Sequence, residues 1–290
     1  TLQKSKNGKG HIRRQKASVK VVSEEAHDRT KQKRAEKTSD YLQLLGVTDK
    51  EGQVIPKMAD KYRQINKYLE VMEGLVKSTT LPKQVNIVDM GSGKGYLTFA
   101  LYDYLHNTLK LSVKVTGIEL RQELVDYCNE VAKKAQFEHL SFACQRIETF
   151  ENDQIDILIA LHACDTATDD AIHKGIVSDS ALIICAPCCH KQIRQQLKGK
   201  EQADPILKYG IFKERQYEMV TDTMRALIME KKQYQTKIFE FVSNEHTRKN
   251  VLLVGAKTDK SIDEAAIDHK IEQLKQAYGI EQHYLEGILK

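Results

Sequence analysis

From residue 84 onward, short unbroken apolar runs alternate with apolar residues at helical spacing. Val85, Ile87 and Val88 open the first run, and Tyr96, Leu97, Ala100, Leu101 and Leu105 follow on one helical face. Continued along the chain, the pattern predicts strands near 85–89, 113–119, 140–144, 155–161 and 181–186, with helices near 94–107, 121–135 and 165–176. Strands and helices in this rhythm form βαβ units, hence a parallel sheet with helices on its faces. Beyond residue 186 the rhythm changes. The stretch 190–232 carries an amphipathic helix with Tyr217, Val220, Met224, Leu227 and Ile228, placed to cover a substrate. Two β-rich runs, 236–242 and 251–256, flank a polar segment and predict a terminal hairpin, which brings the sheet to seven strands.

Upstream, 39–78 reads as helical, first through Tyr41, Leu42, Leu44 and Leu45, then from Ala59 through Tyr62, Ile65, Leu69, Met72 and Leu75. Pro82 separates this pair from the first strand. The predicted organisation is a basic, flexible arm over 1–38, a helical extension over 39–80, an α/β domain over 81–260 with a substrate-side insertion at 190–232, and a polar helical tail over 261–290.

With 290 residues, 41% of them hydrophobic, the chain can bury one large domain plus appendages. It has no long apolar run and no charged-then-apolar leader, so the expectation is a soluble, cytoplasmic protein with no membrane association and no obligate protein partner. The cysteines at 128, 144, 164, 185, 188 and 189 lack the regular spacing of a disulfide framework and are expected to be reduced. Charge is uneven. Residues 1–40 hold twelve lysines and arginines against five acids, a net of +7, which leaves −2 for the rest of a chain whose total is +5. A basic arm on a nearly neutral body suits phosphate backbones and suggests an RNA partner; it is equally what a solvated tail looks like.

The most specific chemistry lies between the first strand and helix, at Asp89-Met90-Gly91-Ser92-Gly93-Lys94-Gly95-Tyr96. A phosphate loop of the GxxxxGK[ST] type is excluded, because Lys94 is followed by glycine and the intervening spacing is short. A dinucleotide loop would place its third glycine where Tyr96 stands. What remains, an acid two positions before G-x-G-x-G, resembles the first motif of class I S-adenosyl-L-methionine (SAM) methyltransferases. An anion at Asp89 suits a sulfonium and an ammonium better than a pyrophosphate. Glu119, closing the second strand, can accept hydrogen bonds from the vicinal hydroxyls of a ribose, a feature shared with NAD enzymes.

Ligands of open α/β sheets sit beyond the carboxyl ends of the strands. Two unusual segments occupy those places: Leu161-His162-Ala163-Cys164-Asp165-Thr166-Ala167-Thr168-Asp169, and Ala186-Pro187-Cys188-Cys189-His190-Lys191. Together with Glu245-His246-Thr247-Arg248-Lys249-Asn250, they resemble the signature of tRNA acceptor-stem ribose 2′-hydroxyl methyltransferases and related methyltransferase-like proteins, over roughly residues 55–257. Asp165 and Thr166 stand where the tRNA enzymes typically have glycine and alanine. The resemblance implies a Rossmann-like seven-stranded sheet with a terminal antiparallel hairpin, SAM as cofactor and S-adenosylhomocysteine as product. It assigns the cofactor to Asp89, Gly91, Ser92, Gly93, Gly95, Tyr96, Glu119 and Leu161, with Gln145 and Arg146 where the adenine ring is received.

A ribose hydroxyl or an amine must lose a proton on methylation, so a base is needed within hydrogen-bond reach. His190 is the first candidate and His162 the second, with Asp165 orienting either ring or touching substrate. Cys164 and Cys188 also suit a thiolate nucleophile and its helper, as cytosine-carbon methylation requires. Adjacent cysteines lack the usual C-x₂₋₄-C spacing of a zinc site, so no metal is assigned. The function expected is SAM-dependent methylation of RNA, either tRNA or rRNA. The alternatives are methylation of a protein or small molecule, and a non-catalytic SAM-binding interaction module.

Overall fold

The computed structural model describes residues 2–4, 10–12, 33–151, 154–161, 163–198, 205–241 and 251–289. They fall into two units, Thr1–Lys33 and Arg34–Lys290. In the first, β1 (Leu2–Lys4) pairs antiparallel with β2 (Gly10–Ile12), so the arm expected to be flexible carries a short hairpin.

The second unit begins at Arg34, four residues before the expected end of the arm. The cause is local. Arg34 Nε donates to Glu73 Oε2 at 2.6 Å, its amide donates to Asn66 Oδ1 at 2.7 Å, and the Tyr62 hydroxyl donates to the carbonyl of the buried Ala35 at 2.6 Å. Hydrogen bonds from Lys77 and then Arg34 hold the Glu73 carboxyl down at about 2. The extension consists of α1 (Asp40–Leu44), a 3₁₀ turn opened by Pro56, and α2 (Ala59–Lys77). Tyr62, Ile65, Leu69, Met72 and Val76 recur on one face of α2 and bury it against the domain.

Seven strands of the described residues form one sheet: β3 (Gln84–Met90), β4 (Ser112–Glu119), β5 (Leu140–Cys144), β6 (Ile157–Ala160), β7 (Leu182–Cys185), β8 (Tyr234–Glu240) and β9 (Val251–Lys257). Their order is β5-β4-β3-β6-β7-β9-β8, parallel through β7, with β9 antiparallel to both neighbours. This is the Rossmann-like sheet with a terminal antiparallel hairpin that the sequence implied. The central strands β6 and β7 are apolar and buried at every position because both faces are covered, whereas the edge strand β8 alternates and is largely exposed. Ile87, Val115, Ile157, Ile159, Leu182 and Ile184 join the core beneath α1–α3, whereas Val88, Met90, Leu158, Ala160 and Ile183 join the core on the opposite face. Chain order reverses between β3 and β6, which puts the switch-point crevice beyond the carboxyl ends of those two strands.

The helices are α3 (Tyr96–Tyr102), continued by a π-helical turn over Asp103–Thr108, then α4 (Gln122–Lys134), α5 (Thr166–Val177), α6 (Lys191–Leu197), α7 (Gly210–Lys231), α8 (Glu264–Tyr278) and α9 (Tyr284–Ile288). Helix α3 starts at Tyr96 rather than 94, because Gly91, Gly93 and Gly95 all take positive φ, at 80°, 57° and 70°. Two expectations need refining. Helix α7 buries Tyr217, Val220, Met224, Ile228 and Met229 in the core, while Ile211, Phe212 and Met219 stand exposed along it. The tail is not merely polar either. Ile267, Ile271, Ile280 and Leu285 are buried in that same core. No helix among the described residues is long and apolar enough to cross a membrane. Val242 and the segment to Asn250, including Glu245–Asn250 of the motif, lie outside the described residues.

Candidate active site

The glycine loop is pinned to the end of β4. The Gly91 and Ser92 amides both donate to the Ile118 carbonyl, at 2.8 and 3.0 Å, the Gly93 amide to Glu119 Oε2 at 3.0 Å, and the Gly95 amide to the Ser92 carbonyl at 2.9 Å. A diphosphate needs a fan of open backbone N–H groups, and four of this loop's amides are already committed inside the protein. Close packing makes the fit possible. A Cβ at Gly117 would stand 2.4 Å from the Phe142 ring and 2.9 Å from Ser92 Oγ, so only glycine lets β4 and the loop approach. At Gly93 a Cβ would meet nothing within 4 Å, which leaves an open cradle over the loop.

Two acids stand at the carboxyl ends of the strands on either side of the loop, Asp89 in β3 and Glu119 closing β4. Asp89 is buried, with one carboxylate oxygen accepting the Thr98 hydroxyl at 2.5 Å. Burial holds its carboxyl up at about 6, and the Thr98 hydrogen bond pulls the other way. For Glu119 burial also disfavours the charge, but hydrogen bonds from the Arg121 side chain and backbone and from the Gly93 amide outweigh it and hold the carboxyl below its usual value. Its Oε1 accepts from the Leu120 and Arg121 amides and from Arg121 Nε, at 3.0, 3.1 and 2.9 Å. Arg121, which sequence reasoning missed, thus lies across the oxygens expected to take a ribose, on a side chain that is mostly exposed. Tyr96 stands at the start of α3 with the Lys61 ammonium 5.5 Å from its ring centroid, so α2 of the extension reaches the loop. Gln145 and Arg146 follow β5 as expected. Gln145 folds back onto the Thr149 carbonyl at 3.0 Å, Arg146 pairs with Glu148, and Leu161 is buried after β6.

The loops after β6 and β7 come together beside this crevice. The Ala186 amide donates to the Ala160 carbonyl at 3.0 Å, and Asp165 Oδ1 accepts the Lys191 and Gln192 amides at 2.8 and 3.1 Å. Asp165 therefore caps α6 and does not orient the His190 ring. That part belongs to Asp222 on α7, whose Oδ1 lies 3.2 Å from His190 Nε2. Behind Asp222 sits Arg225, only 1% exposed. Its Nε and Nη2 meet the two oxygens of Asp169 at 2.7 and 3.0 Å, its Nη1 meets Asp222 Oδ1 at 3.1 Å, and Nη2 also donates to the Asp165 carbonyl at 3.1 Å. Asp169, Asp222 and Arg225 were not singled out from sequence. A signal was present: two charges three residues apart within the apolar stripe of α7 are too costly to bury unpaired.

Cys188 is half-buried 3.1 Å from Cys164, sulfur to sulfur, and 3.7 Å from Cys189. Burial first, and then the neighbouring thiols, push the Cys188 thiol up to about 12. Such a group stays protonated at neutral pH, which argues against Cys188 itself as a thiolate. His162, the second candidate base, lies outside the described residues.

Residues 60–196 match a family described as a methyltransferase domain, a span of slightly under half the chain. No curated protein matches the sequence. Among solved structures, the chain is similar to a SAM-dependent methyltransferase from Aquifex aeolicus at 12% identity and a TM-score of 0.40, covering 74% of this chain and 96% of that one. It is also similar to an rRNA methylase from Streptococcus thermophilus at 11% identity and a TM-score of 0.40, covering 66% and 96%. For the 4+2 cyclase SpnF the values are 16% identity and a TM-score of 0.31, and the chain spans 43% of the length of that protein while 40% of this one is covered.

Proposed function

We propose that this chain is a SAM-dependent methyltransferase that acts on RNA, with His190 as the base. The observation that carries the reading is the glycine loop: its amides are satisfied internally and its open cradle lies between two acids, an arrangement suited to a cationic nucleoside and ill suited to a pyrophosphate. The methyltransferase-domain match over 60–196 spans the same loop and both catalytic segments. SAM, when bound, supplies a methyl carbon on a sulfonium that is open to in-line displacement. Asp89 sets a negative charge beneath the methionine portion. Glu119 accepts the ribose hydroxyls once the exposed Arg121 side chain swings aside. With Nε2–H donated to Asp222, His190 keeps its lone pair on Nδ1, the atom left to take the acceptor's proton. The net positive charge of residues 1–40 supports an RNA acceptor.

S-adenosylhomocysteine at about a hundred times its dissociation constant is expected to stabilise the fold by roughly 2.7 kcal/mol in a thermal melt, and NAD by nothing measurable. Equal shifts from both would end the cofactor reading. For the acceptor, tritiated methyl groups should enter cell extract in a form that nuclease releases. Incorporation that survives nuclease but not protease would make the acceptor protein.

Asp89 gives the cofactor a pH signature. Its carboxyl is higher in the folded protein than in the unfolded chain, so ionising it costs folding free energy as the pH rises from about 4 towards 6. A ligand ammonium beside it favours the ionised form. S-adenosylhomocysteine should therefore bind more tightly as the pH rises through about 6 and then level off, while Asp89→Asn flattens the curve. Calorimetric titration from acid to neutral pH reads this directly, and a flat wild-type profile would remove Asp89 from the ligand's surroundings.

A further inference from the structure

The sulfurs of Cys164, Cys188 and Cys189 all lie within 4.8 Å of one another. The sequence argument against a metal rested on spacing along the chain, because neighbouring cysteines cannot by themselves surround an ion. The fold supplies what the spacing lacks: Cys164 comes from the loop after β6, and Cys188 and Cys189 from the loop after β7. With sulfur about 2.3 Å from zinc, tetrahedral sulfurs stand about 3.8 Å apart. The Cys188–Cys189 separation of 3.7 Å already matches, and the Cys164–Cys188 separation of 3.1 Å needs a small opening. The latter is also far longer than the roughly 2.05 Å of a disulfide, and a disulfide would leave the third sulfur without a role.

We propose that Cys164, Cys188 and Cys189 form a site for one soft divalent cation of the zinc class, bound through three thiolates with a fourth position open to solvent. The chemistry of the cluster favours this. Three thiols packed this closely do not ionise readily alongside one another, and a dication supplies the charge that lets them do so. On binding, three S–H protons leave to solvent and three metal–sulfur bonds form, with no change of oxidation state. Cys164 is exposed and its two partners are half-buried, so an ion has a path in. Bridging the loops after β6 and β7 would fix Asp165 and His190, which flank the cluster in sequence. The proposal rests on the three side chains and stands whether or not the methyl-transfer reading does.

The test uses the full chain, purified without a metal-affinity step, reduced, stripped with chelator and titrated anaerobically with Co²⁺. One equivalent should produce thiolate-to-cobalt charge-transfer absorption and tetrahedral d–d bands, both displaced by Zn²⁺. Cys164→Ser and Cys189→Ser should lose these bands, while Cys144→Ser, outside the cluster, keeps them. Zn²⁺ should raise the wild-type melting temperature, and chelator should reverse the rise. Absence of the bands from wild-type protein whose six thiols all react with a thiol reagent on denaturation would overturn the proposal. So would bands that persist in Cys164→Ser, which would mark adventitious binding elsewhere, or the recovery of four reactive thiols instead of six on denaturation after non-reducing purification, which would mark a disulfide.

Discussion

Arg225→Ala is expected to destabilise the protein by about 3–5 kcal/mol, because it leaves buried carboxylates without their cation. The guanidinium is 1% exposed, takes both oxygens of Asp169, shares Asp222 with His190 and holds the carbonyl of Asp165. Each contact joins a different part of the site. Asp169 lies in α5, Asp222 in α7, and Asp165 in the loop after β6, where its backbone takes a φ of 56°, a conformation a non-glycine residue adopts only under constraint. Replacing Arg225, Asp169 and Asp222 together by apolar residues of similar volume should recover most of the stability, since the desolvation cost of the charges disappears with them. The loops would nonetheless lose their tie to α7. Urea melts of the two variants separate these contributions, and an Arg225→Ala protein within about 1 kcal/mol of the parent would show that the network contributes little.

The same network marks where the sequence stopped being legible. Strands β6 and β7 could be read because a strand buried on both faces has to be apolar at every position, and Ile157–Ala160 and Leu182–Cys185 are. The loop at Gly91–Gly95 could be read because three positive-φ positions in five residues demand glycine. Arg225 was passed over, since a charge on an amphipathic helix ordinarily faces water; its place in the apolar stripe called for a buried partner, and the fold reveals that this is Asp169. Distance along the chain hid the rest. Cys164 and Cys188 are 24 residues apart, and spacing rules for metal sites describe ligands on one loop. The arm's boundary was misplaced for a similar reason, because Arg34 and Ala35 are held by Glu73 and Tyr62 on α2 rather than by anything near them in sequence. The tail misled through its composition: its few apolar residues, among them Ile271 and Leu285, are the ones that dock.

His190→Ala should lower kcat for methyl transfer by about 10²–10⁴-fold, the usual contribution of a positioned general base, while leaving the melting shift given by S-adenosylhomocysteine intact. The asymmetry follows from position. The residues proposed to hold the cofactor around the glycine loop lie at the carboxyl ends of β3 and β4, whereas the proposed base His190 follows β7, so the two measurements report on separate parts of the crevice. Asp222→Asn tests the arrangement more sharply. An amide in place of the carboxylate can offer its NH₂ to His190 Nε2, which stabilises the tautomer with the lone pair on the wrong nitrogen, and it withdraws the charge that steadies the imidazolium. Turnover should fall without a matching rise in the KM for cofactor, a split that a merely structural role would not produce. Because Asp222 also pairs with Arg225, the variant will lose some stability, so the rates must be compared below the onset of its melt. If both variants turn over at the parental rate, the proton leaves by another route and His190 is only a buried hydrogen-bond partner of α7.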